Sequence, residues 1–271
     1  MRLLRANLRK LRRRPATWVT FLLLIALHAL IVFFVVVGSK AASDPQAALA
    51  ARQFLTFPTA YELIIAMVIG IGGLLAVTYG AAIAGSEWTW GTLKSAVARG
   101  ESRSRYTLLG YGSVAIYTFL GLVGAFVAGV LVSMLGALVV GVGLDGMGDT
   151  DALLRLPEQF ARAGFAMAMN AAFGFAIATV ARSQLAGIGV GIGLFFAEGV
   201  AGIFAPHVIK FFPFSASGAV VSGGAGGSTM VNGAELGASL DANTAVLVTA
   251  AWLIASLLVA SLSTERAEIS G

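Results

Sequence analysis

The chain has 271 residues, of which 58% are hydrophobic and only 11% are charged, and its mean hydropathy is +0.89. This composition excludes a water-soluble domain, which could not bury so much apolar surface, so we expect a single all-α integral membrane domain over residues 1–271. The net charge of +5 lies mainly beside apolar runs, which is typical of membrane topology and argues against a nucleic-acid partner.

The N-terminal segment, residues 1–15, is predicted to be a basic cytoplasmic arm. Its leucines recur at helical spacing, which favours a surface helix on anionic lipid, with contact to a partner protein as the alternative: Leu3, Leu4, Leu8 and Leu11. The apolar run that follows, Ala16 to Gly38, is longer than the core of a signal peptide and long enough to cross a bilayer. We therefore expect a retained first span.

The loop after the first span has signals for a short helix outside the cell. Asp44 is a predicted N-cap, and Pro45 suits the first helical position. The second span is predicted from about Ala60 to Ala84, and Thr59 with Glu62 matches a capping box at its start. We therefore interpret Glu62 as a cap and not as a transport residue.

The polar insert at residues 85–106 separates this span from the next apolar run. Its pattern predicts a helix over 87–99, because Trp90, Leu93 and Val97 would share one face. Gly100 suits the stop of that helix and Ser102 the cap of the next one. Periodicity alone favours an amphipathic helix that lies in the headgroup layer.

Four further spans follow. The run 108–142 is too short for two crossings with a turn, since a 35-residue helix is roughly 52 Å long and a bilayer core about 30 Å thick, so we predict one long third span. An acidic outer loop follows at 144–159, with Pro157 at a helix start. The fourth, fifth and sixth spans are predicted at 160–181, 185–204 and 244–262. An apolar, glycine-rich link at 205–243 precedes the sixth span, and we expect it to dip into the outer leaflet.

Six spans place both termini on one side of the membrane. The loops predicted to lie inside carry thirteen basic residues, and those predicted outside carry five. The positive-inside rule therefore puts both termini and the polar insert in the cytoplasm of a multi-pass protein, which we expect in a bacterial plasma membrane.

Polar side chains within spans are costly, so each of them is a candidate for a transport pathway. His28 in the first span, Asn170 in the fourth and Glu198 in the fifth are the three we single out. Each also has a structural interpretation: a hydrogen bond between helices for His28 and Asn170, and for Glu198 a partner such as Lys210 or a backbone amide. Four alternate glycines in the fifth span predict close helix packing: Gly187, Gly189, Gly191 and Gly193.

Motifs for catalysis are missing from the sequence. It has no phosphate-binding G-x-x-x-x-G-K-[ST] loop, no H-E-x-x-H pair and no G-x-S-x-G elbow. With no cysteine and two histidines, it also offers no disulfide framework, thiol nucleophile or histidine-rich metal site. We predict a protein that is not an enzyme and carries no catalytic, cofactor-binding or metal-binding residues.

The polar insert resembles the loop after the second span in ABC-2 type transporter permeases. Three stretches carry the resemblance, Gly85-Ser86-Glu87, Gly91-Thr92-Leu93-Lys94 and Arg99-Gly100-Glu101-Ser102-Arg103, and the order of spans agrees with it over nearly the whole chain. The resemblance implies that this cytoplasmic loop is a coupling helix seated in a groove of an ATPase subunit. It also implies short re-entrant helices before the last span and a second permease copy, identical or related.

In that role the resemblance divides the residues of the insert into two groups. Five would make polar contacts with the ATPase: Glu87, Lys94, Arg99, Glu101 and Arg103. Four would fill its groove: Trp88, Trp90, Leu93 and Val97. The resemblance implies two ATPase copies, which would bind the ATP and Mg, while this chain would bind no cofactor and contact lipid.

The function we predict is therefore the permease subunit of an ATP-driven exporter. The competing classes are a stand-alone channel or secondary transporter, and a membrane scaffold that binds a partner through the polar insert. An internal repeat is common among secondary transporters, and the two halves of this chain have unlike loops. The substrate class stays open between a hydrophobic or amphipathic cargo and sodium.

Overall fold

Helices make up nearly all of the regular structure. The computed structural model describes residues 2–223, 229–231, 234–236 and 240–267. Their helices are α1 Arg2–Arg12, α2 Pro15–Ala41, α3 Pro45–Gln53, α4 Thr59–Thr89, α5 Thr92–Ala98, α6 Arg103–Val140, α7 Thr150–Ala181, α8 Gln184–Phe204, α9 Pro206–Ile209, α10 Pro213–Val221 and α11 Ala242–Glu265. A 3₁₀ turn at Asp145–Gly148 precedes α7.

Six of these helices are long and apolar enough to cross a membrane: α2, α4, α6, α7, α8 and α11. The predicted all-α membrane fold with six spans is confirmed, including the single long third span, which ends at Gly141 with a φ of 74°. A short antiparallel ribbon, β1 Thr229–Val231 with β2 Ala234–Leu236, lies in the link before α11 and was not predicted.

The N-cap residue predicted for α3 is correct. The Asp44 side chain accepts a hydrogen bond of 2.9 Å from the backbone N–H of Gln46, and Pro45 is the first helical residue.

By contrast, the capping box predicted for α4 is wrong. Pro58 is the N-cap residue and makes no side-chain cap. The backbone carbonyls of Thr56 and Pro58 instead accept from the first amides of the helix, which leaves no vacancy for a capping side chain.

The start predicted for α7 at Pro157 is also wrong. The helix begins two turns earlier because the Asp149 side chain accepts a 2.8 Å hydrogen bond from the amide of Ala152. Pro157 therefore lies inside the helix, where its ring removes one backbone hydrogen bond. The cap at Asp149, and not Pro157, therefore determines where α7 begins.

The centre of the bundle is the crossing of α4 and α7, which pack against each other more extensively than any other described pair of helices. Two glycines bring the backbones together. A Cβ atom added to Gly80 would lie 2.0 Å from the carbonyl oxygen of Ala171, and one added to Gly174 would lie 2.0 Å from that of Val77. Lipid supplies no hydrophobic force between spans, so such close packing is what holds helices together in a bilayer.

Around this crossing, α2, α6 and α8 pack on α4, and α11 packs on α7 and α6. The outer faces of these helices carry exposed hydrophobic side chains, as lipid-facing surfaces do: Leu22, Phe34, Leu131, Leu135, Phe196 and Leu247.

The link before the last span begins with two short helices, α9 and α10. The second is buried between α7 and α11, with Phe214 and Ala216 in contact with the bundle, and the indole of Trp252 donates a 2.8 Å hydrogen bond to the carbonyl of Phe211. Protein therefore covers this part of the link. Of the glycine-rich stretch that we predict to be flexible, 218–237, residues 224–228, 232–233 and 237 lie outside the described residues.

The α4–α7 contact gives a first testable prediction. Replacing Gly174 with alanine should destabilise the detergent-solubilised protein by about 1–3 kcal/mol, the usual cost of overpacking, because the new methyl group has no room beside the carbonyl of Val77. Thermal melting followed by circular dichroism measures this. Gly112→Ala in α6, where a Cβ atom meets open space, is the matched control. Equal melting temperatures for the two variants would contradict the close contact.

Candidate functional site

All the loops predicted to be cytoplasmic meet at one end of the bundle. Contacts join the arm to the end of α4, the turn after α7 to Trp88, and the start of α6 to the end of α11. We call the surface formed by residues 86–106 and the adjoining α1 the basal platform. The predicted outer loops meet at the opposite end, where Tyr61 donates a 2.9 Å hydrogen bond to the carbonyl of Met147.

The polar insert is not one helix over 87–99. Helix α4 continues through Thr89, the chain turns at Gly91 with a φ of 62°, and α5 then runs for seven residues. The predicted stop and cap are correct: Gly100 adopts a φ of 87°, and Ser102 accepts from the amide of Arg105 at 3.3 Å. A residue with a Cβ atom rarely adopts the backbone conformation seen at Gly91.

Because of this turn, the predicted shared face of Trp90, Leu93 and Val97 is also wrong. Leu93 is only 4% exposed and packs with Ala96 and Tyr106, whereas Trp90 is 62% exposed. Half-buried Val97 joins the Leu93 cluster. Seven residues are too few for a stable isolated helix, so this packing holds α5 against α6.

The carboxylate of Glu87 is the centre of the basal platform. Lys10 donates to both of its oxygens at 2.7 Å, and Arg14 donates to Oε1 at 2.8 Å. Tyr106 donates to Oε2 at 2.7 Å, and Thr92 donates to the same oxygen. Only 14% of the Glu87 side chain is exposed. Its carboxylate therefore joins the arm, α4, α5 and α6, and does not face outward as a direct ATPase contact would require.

Electrostatics make this network stable only as a unit. Arg14 is also buried, and its second guanidinium nitrogen donates to the hydroxyl of Ser86. Burial lowers the pKa of Lys10, while the carboxylate of Glu87 acts in the opposite direction. Two partly desolvated cations thus depend on one anion, and removal of the anion would leave both uncompensated.

The two tryptophans of the insert stack on arginines from other segments. The guanidinium carbon of Arg14 lies 4.8 Å from the ring centroid of Trp90, and that of Arg182 lies 5.2 Å from that of Trp88. Both distances fit cation–π contacts. Arg182 is the residue at which the chain turns from α7 to α8, so this turn also belongs to the basal platform.

The other charged residues of the insert are of two kinds. Arg103 donates to the carbonyls of Glu265 and Ala267 at 3.0 and 2.8 Å, so it ties the end of α11 to the start of α6. Lys94 and Arg99 are exposed, and Glu101 is half-buried. Trp90, Lys94 and Arg99 thus form the outward face of the platform, which we call the docking face.

The three pathway candidates are all engaged within the bundle. His28 is buried, with Nδ1 3.3 Å from the Met67 sulfur and Nε2 3.3 Å from the Ser133 hydroxyl. Asn170 accepts a 3.1 Å hydrogen bond from Ser217 of α10. Both side chains therefore link neighbouring helices.

Glu198 caps the N-terminus of α10. One of its oxygens accepts from the backbone amides of Phe214 and Ser215 at 3.1 and 2.9 Å, and from the Ser215 hydroxyl at 3.1 Å. The partner is thus a pair of backbone amides, one of the two kinds that the sequence suggested, and no contact to Lys210 is found among the described residues. The carboxylate fixes the covered helix of the outer link to α8.

The four glycines of α8 divide into two pairs. Gly187 and Gly191 face the bundle: a Cβ atom on Gly187 would lie 2.4 Å from that of Ala178, and one on Gly191 would lie 3.0 Å from Val77. Gly189 and Gly193 have open space around them. The close packing predicted for this row therefore applies to the first pair only.

Sequence reasoning missed the contribution of the arm to the site. From the sequence, Lys10, Arg14 and Arg182 count only among the basic residues of the loops predicted to lie inside. A local signal for their roles is weak, because each partner lies more than 70 residues away along the chain. The exposed and buried arginines of the arm look alike in the sequence.

Comparison with known proteins yields one family match. The model of the ABC-2 family transporter protein matches residues 3–198, which is well over half of the chain and includes the arm, the polar insert and Glu198. No curated protein matches the chain.

The Glu87 network gives a second prediction. Glu87→Gln should destabilise the protein by about 3 kcal/mol, the lower end of the cost of breaking a buried ion pair, because Lys10 and Arg14 lose their anion. Thermal melting in detergent measures the change. Glu101→Gln is the matched control, since Glu101 has no ion pair within the described chain, and its cost should stay within about 0.5 kcal/mol. Equal melting of the two variants would show that the network does not stabilise the fold.

Proposed function

Because the chain belongs to the ABC-2 family of transporter proteins, we propose that it is the permease of an ATP-driven exporter whose ATP is hydrolysed by a separate subunit. The docking face carries this proposal. It combines exposed Trp90 at the end of α4 with exposed Lys94 in α5 and exposed Arg99 just after α5, a short helix whose inner side is held by packing. An exposed tryptophan beside two cations suits a protein partner with an apolar groove and acidic rim.

The mechanism we propose is mechanical. A push on α5 would reach α4 through the turn at Gly91, since Glu87 and Thr92 are joined across that turn. The same push would reach α6 through Leu93 and Tyr106, which pack together. Helix α4 would pass the displacement to α7 at their glycine contact. ATP-driven closure of the partner subunits would thus shift the central pair of spans.

The partners follow from this mechanism and from the family. We propose two ATPase subunits, which bind the ATP and Mg, and a second permease copy that is identical or related. The cargo we propose is hydrophobic or amphipathic, because the spans of the described chain present few charges. His28, Asn170 and Glu198 serve as structural contacts in this proposal, and the pathway would run between the two permeases.

The orientation we propose puts the basal platform and both termini in the cytoplasm of a bacterial cell. Basic residues are concentrated at this end of the bundle, including Lys10, Arg14, Lys94, Arg99 and Arg182. The rule that cytoplasmic loops are rich in lysine and arginine supports this choice.

A docking test follows from the proposal. The tagged protein, purified from its native membrane in gentle detergent, should carry a bound subunit that hydrolyses ATP. Lys94→Glu with Arg99→Glu should reduce that bound ATPase activity at least about tenfold, since each exposed cation at an interface contributes on the order of 1 kcal/mol. A bound partner without ATP hydrolysis would favour a scaffold, and flux without nucleotide would favour a channel or secondary transporter.

The control for this test lies at the other end of the bundle. Arg155 of α7 is exposed in the predicted outer segment, and Arg155→Glu with Lys40→Glu makes the same change in net charge. This variant should keep the bound ATPase. Loss of the ATPase from both double variants would mean that overall charge and not the docking face decides binding.

A labelling test checks the orientation. The chain has no cysteine, so Ala98→Cys in α5 and Ala47→Cys in α3, both exposed positions, each introduce one thiol. A membrane-impermeant maleimide added to intact cells should label Ala47→Cys only, and lysed cells should label both. Labelling of Ala98→Cys in intact cells would overturn the proposed orientation and, with it, cytoplasmic docking.

A further inference from the structure

A cavity of about 330 Å³ lies among α2, α4 and α6, next to the start of α2. Its walls are mostly apolar, with Phe21 on one side and Gly121 on another. Trp18 and Leu120 at its edge are more than half exposed, so the cavity opens on the lipid-facing surface. Its volume lies at the lower end of the range of binding sites for small ligands.

One polar side chain in the wall has no partner. Thr118 is 8% exposed, and its hydroxyl makes no hydrogen bond within the described protein. Three other hydroxyls of the wall are engaged: that of Thr17 lies 3.0 Å from that of Tyr79 and also donates to a backbone carbonyl, and Tyr117 donates to the carbonyl of Leu8. An unpaired hydroxyl among apolar groups is costly. The oxygen has almost no accessible surface, so an occupant of the cavity would gain this donor only if the Thr118 side chain rotated toward it.

The mouth of the cavity lies beside exposed positive charge. The indole of Trp18 donates a 2.8 Å hydrogen bond to the carbonyl of Arg12, which places the end of α1 at the rim. The side chains of Arg12 and Arg13 are exposed, and no ion pair joins either of them to another described residue. These arginines differ from Lys10 and Arg14, whose charge is taken by Glu87.

We propose that this cavity binds one acyl chain of an anionic phospholipid from the leaflet that α1 adjoins. The phosphate would lie against Arg12 and Arg13, the hydroxyl of Thr118 would rotate to donate to an ester carbonyl, and the chain would enter the apolar space beside Gly121. Charge complementarity selects an anionic lipid over a zwitterionic one. The bound lipid would attach the arm, and hence the basal platform, to the membrane surface. This inference does not depend on the identity of the docking partner.

Native mass spectrometry of the purified, delipidated chain tests the proposal with added phosphatidylglycerol or phosphatidylcholine. We expect one phosphatidylglycerol to be retained at concentrations where phosphatidylcholine is not. Gly121→Leu should abolish this retention, because a Cβ atom at Gly121 meets open space in the cavity. Gly112→Leu is the matched control: the position is equally open, and nine residues along the helix place it on the opposite face.

A second pair of variants tests the charges without touching the bundle. Arg12→Gln with Arg13→Gln should weaken phosphatidylglycerol binding roughly fivefold for each arginine, as expected for one basic residue at an anionic surface. Arg5→Gln with Arg9→Gln removes equal charge farther along the arm and should have less effect. Equal retention of the two lipids by the wild-type protein, or unchanged binding in a folded Gly121→Leu protein, would overturn the proposal.

Discussion

The carboxylate of Glu87 is the interaction on which the basal platform depends. It sits at the end of α4 and holds Lys10, Arg14, Thr92 and Tyr106, residues that come from the arm, the start of α2, α5 and the start of α6. Because the carboxylate is largely buried, loss of either the carboxylate or its two cations would leave a buried charge uncompensated. A seven-residue helix is thereby fixed to the ends of the neighbouring helices, as the proposed transmission of force would require.

The bundle above this platform is held by contact between backbones. Lipid tails are as apolar as the outer faces of the spans, so burial of apolar surface adds little once the helices are inserted. Gly80 and Gly174 let α4 and α7 touch at carbonyl oxygens, and Gly187 does the same for α8 against α7. Such packing is stiff. A displacement that enters α4 at the platform would therefore shift α7 with it.

Polar side chains within the spans connect the remaining parts to this centre. His28 bridges α2 to α4 and α6, Asn170 holds α10, and Glu198 caps α10 from α8. All three were candidates for a transport pathway on the ground that buried polar groups are costly. The same cost explains their hydrogen bonds, since a polar group in a membrane that lacks a partner would destabilise the fold. Among the described residues of the spans, the buried hydroxyls of Thr118 and Thr249 do lack one, and Thr118 lies in the wall of an open cavity.

The sequence by itself determined the membrane class, the six spans, the long third helix and the helix stop at Gly100, because hydropathy, length and glycine act locally. It also predicts the polar insert as the candidate site. Only the tertiary structure decided which residues of that insert face outward: the turn at Gly91 exposes Trp90 and buries Leu93, and Glu87 turns inward to cations that are distant in sequence. Charge pairing between residues so far apart produces no periodic pattern in the sequence, since it depends on where the packed helices bring their ends together.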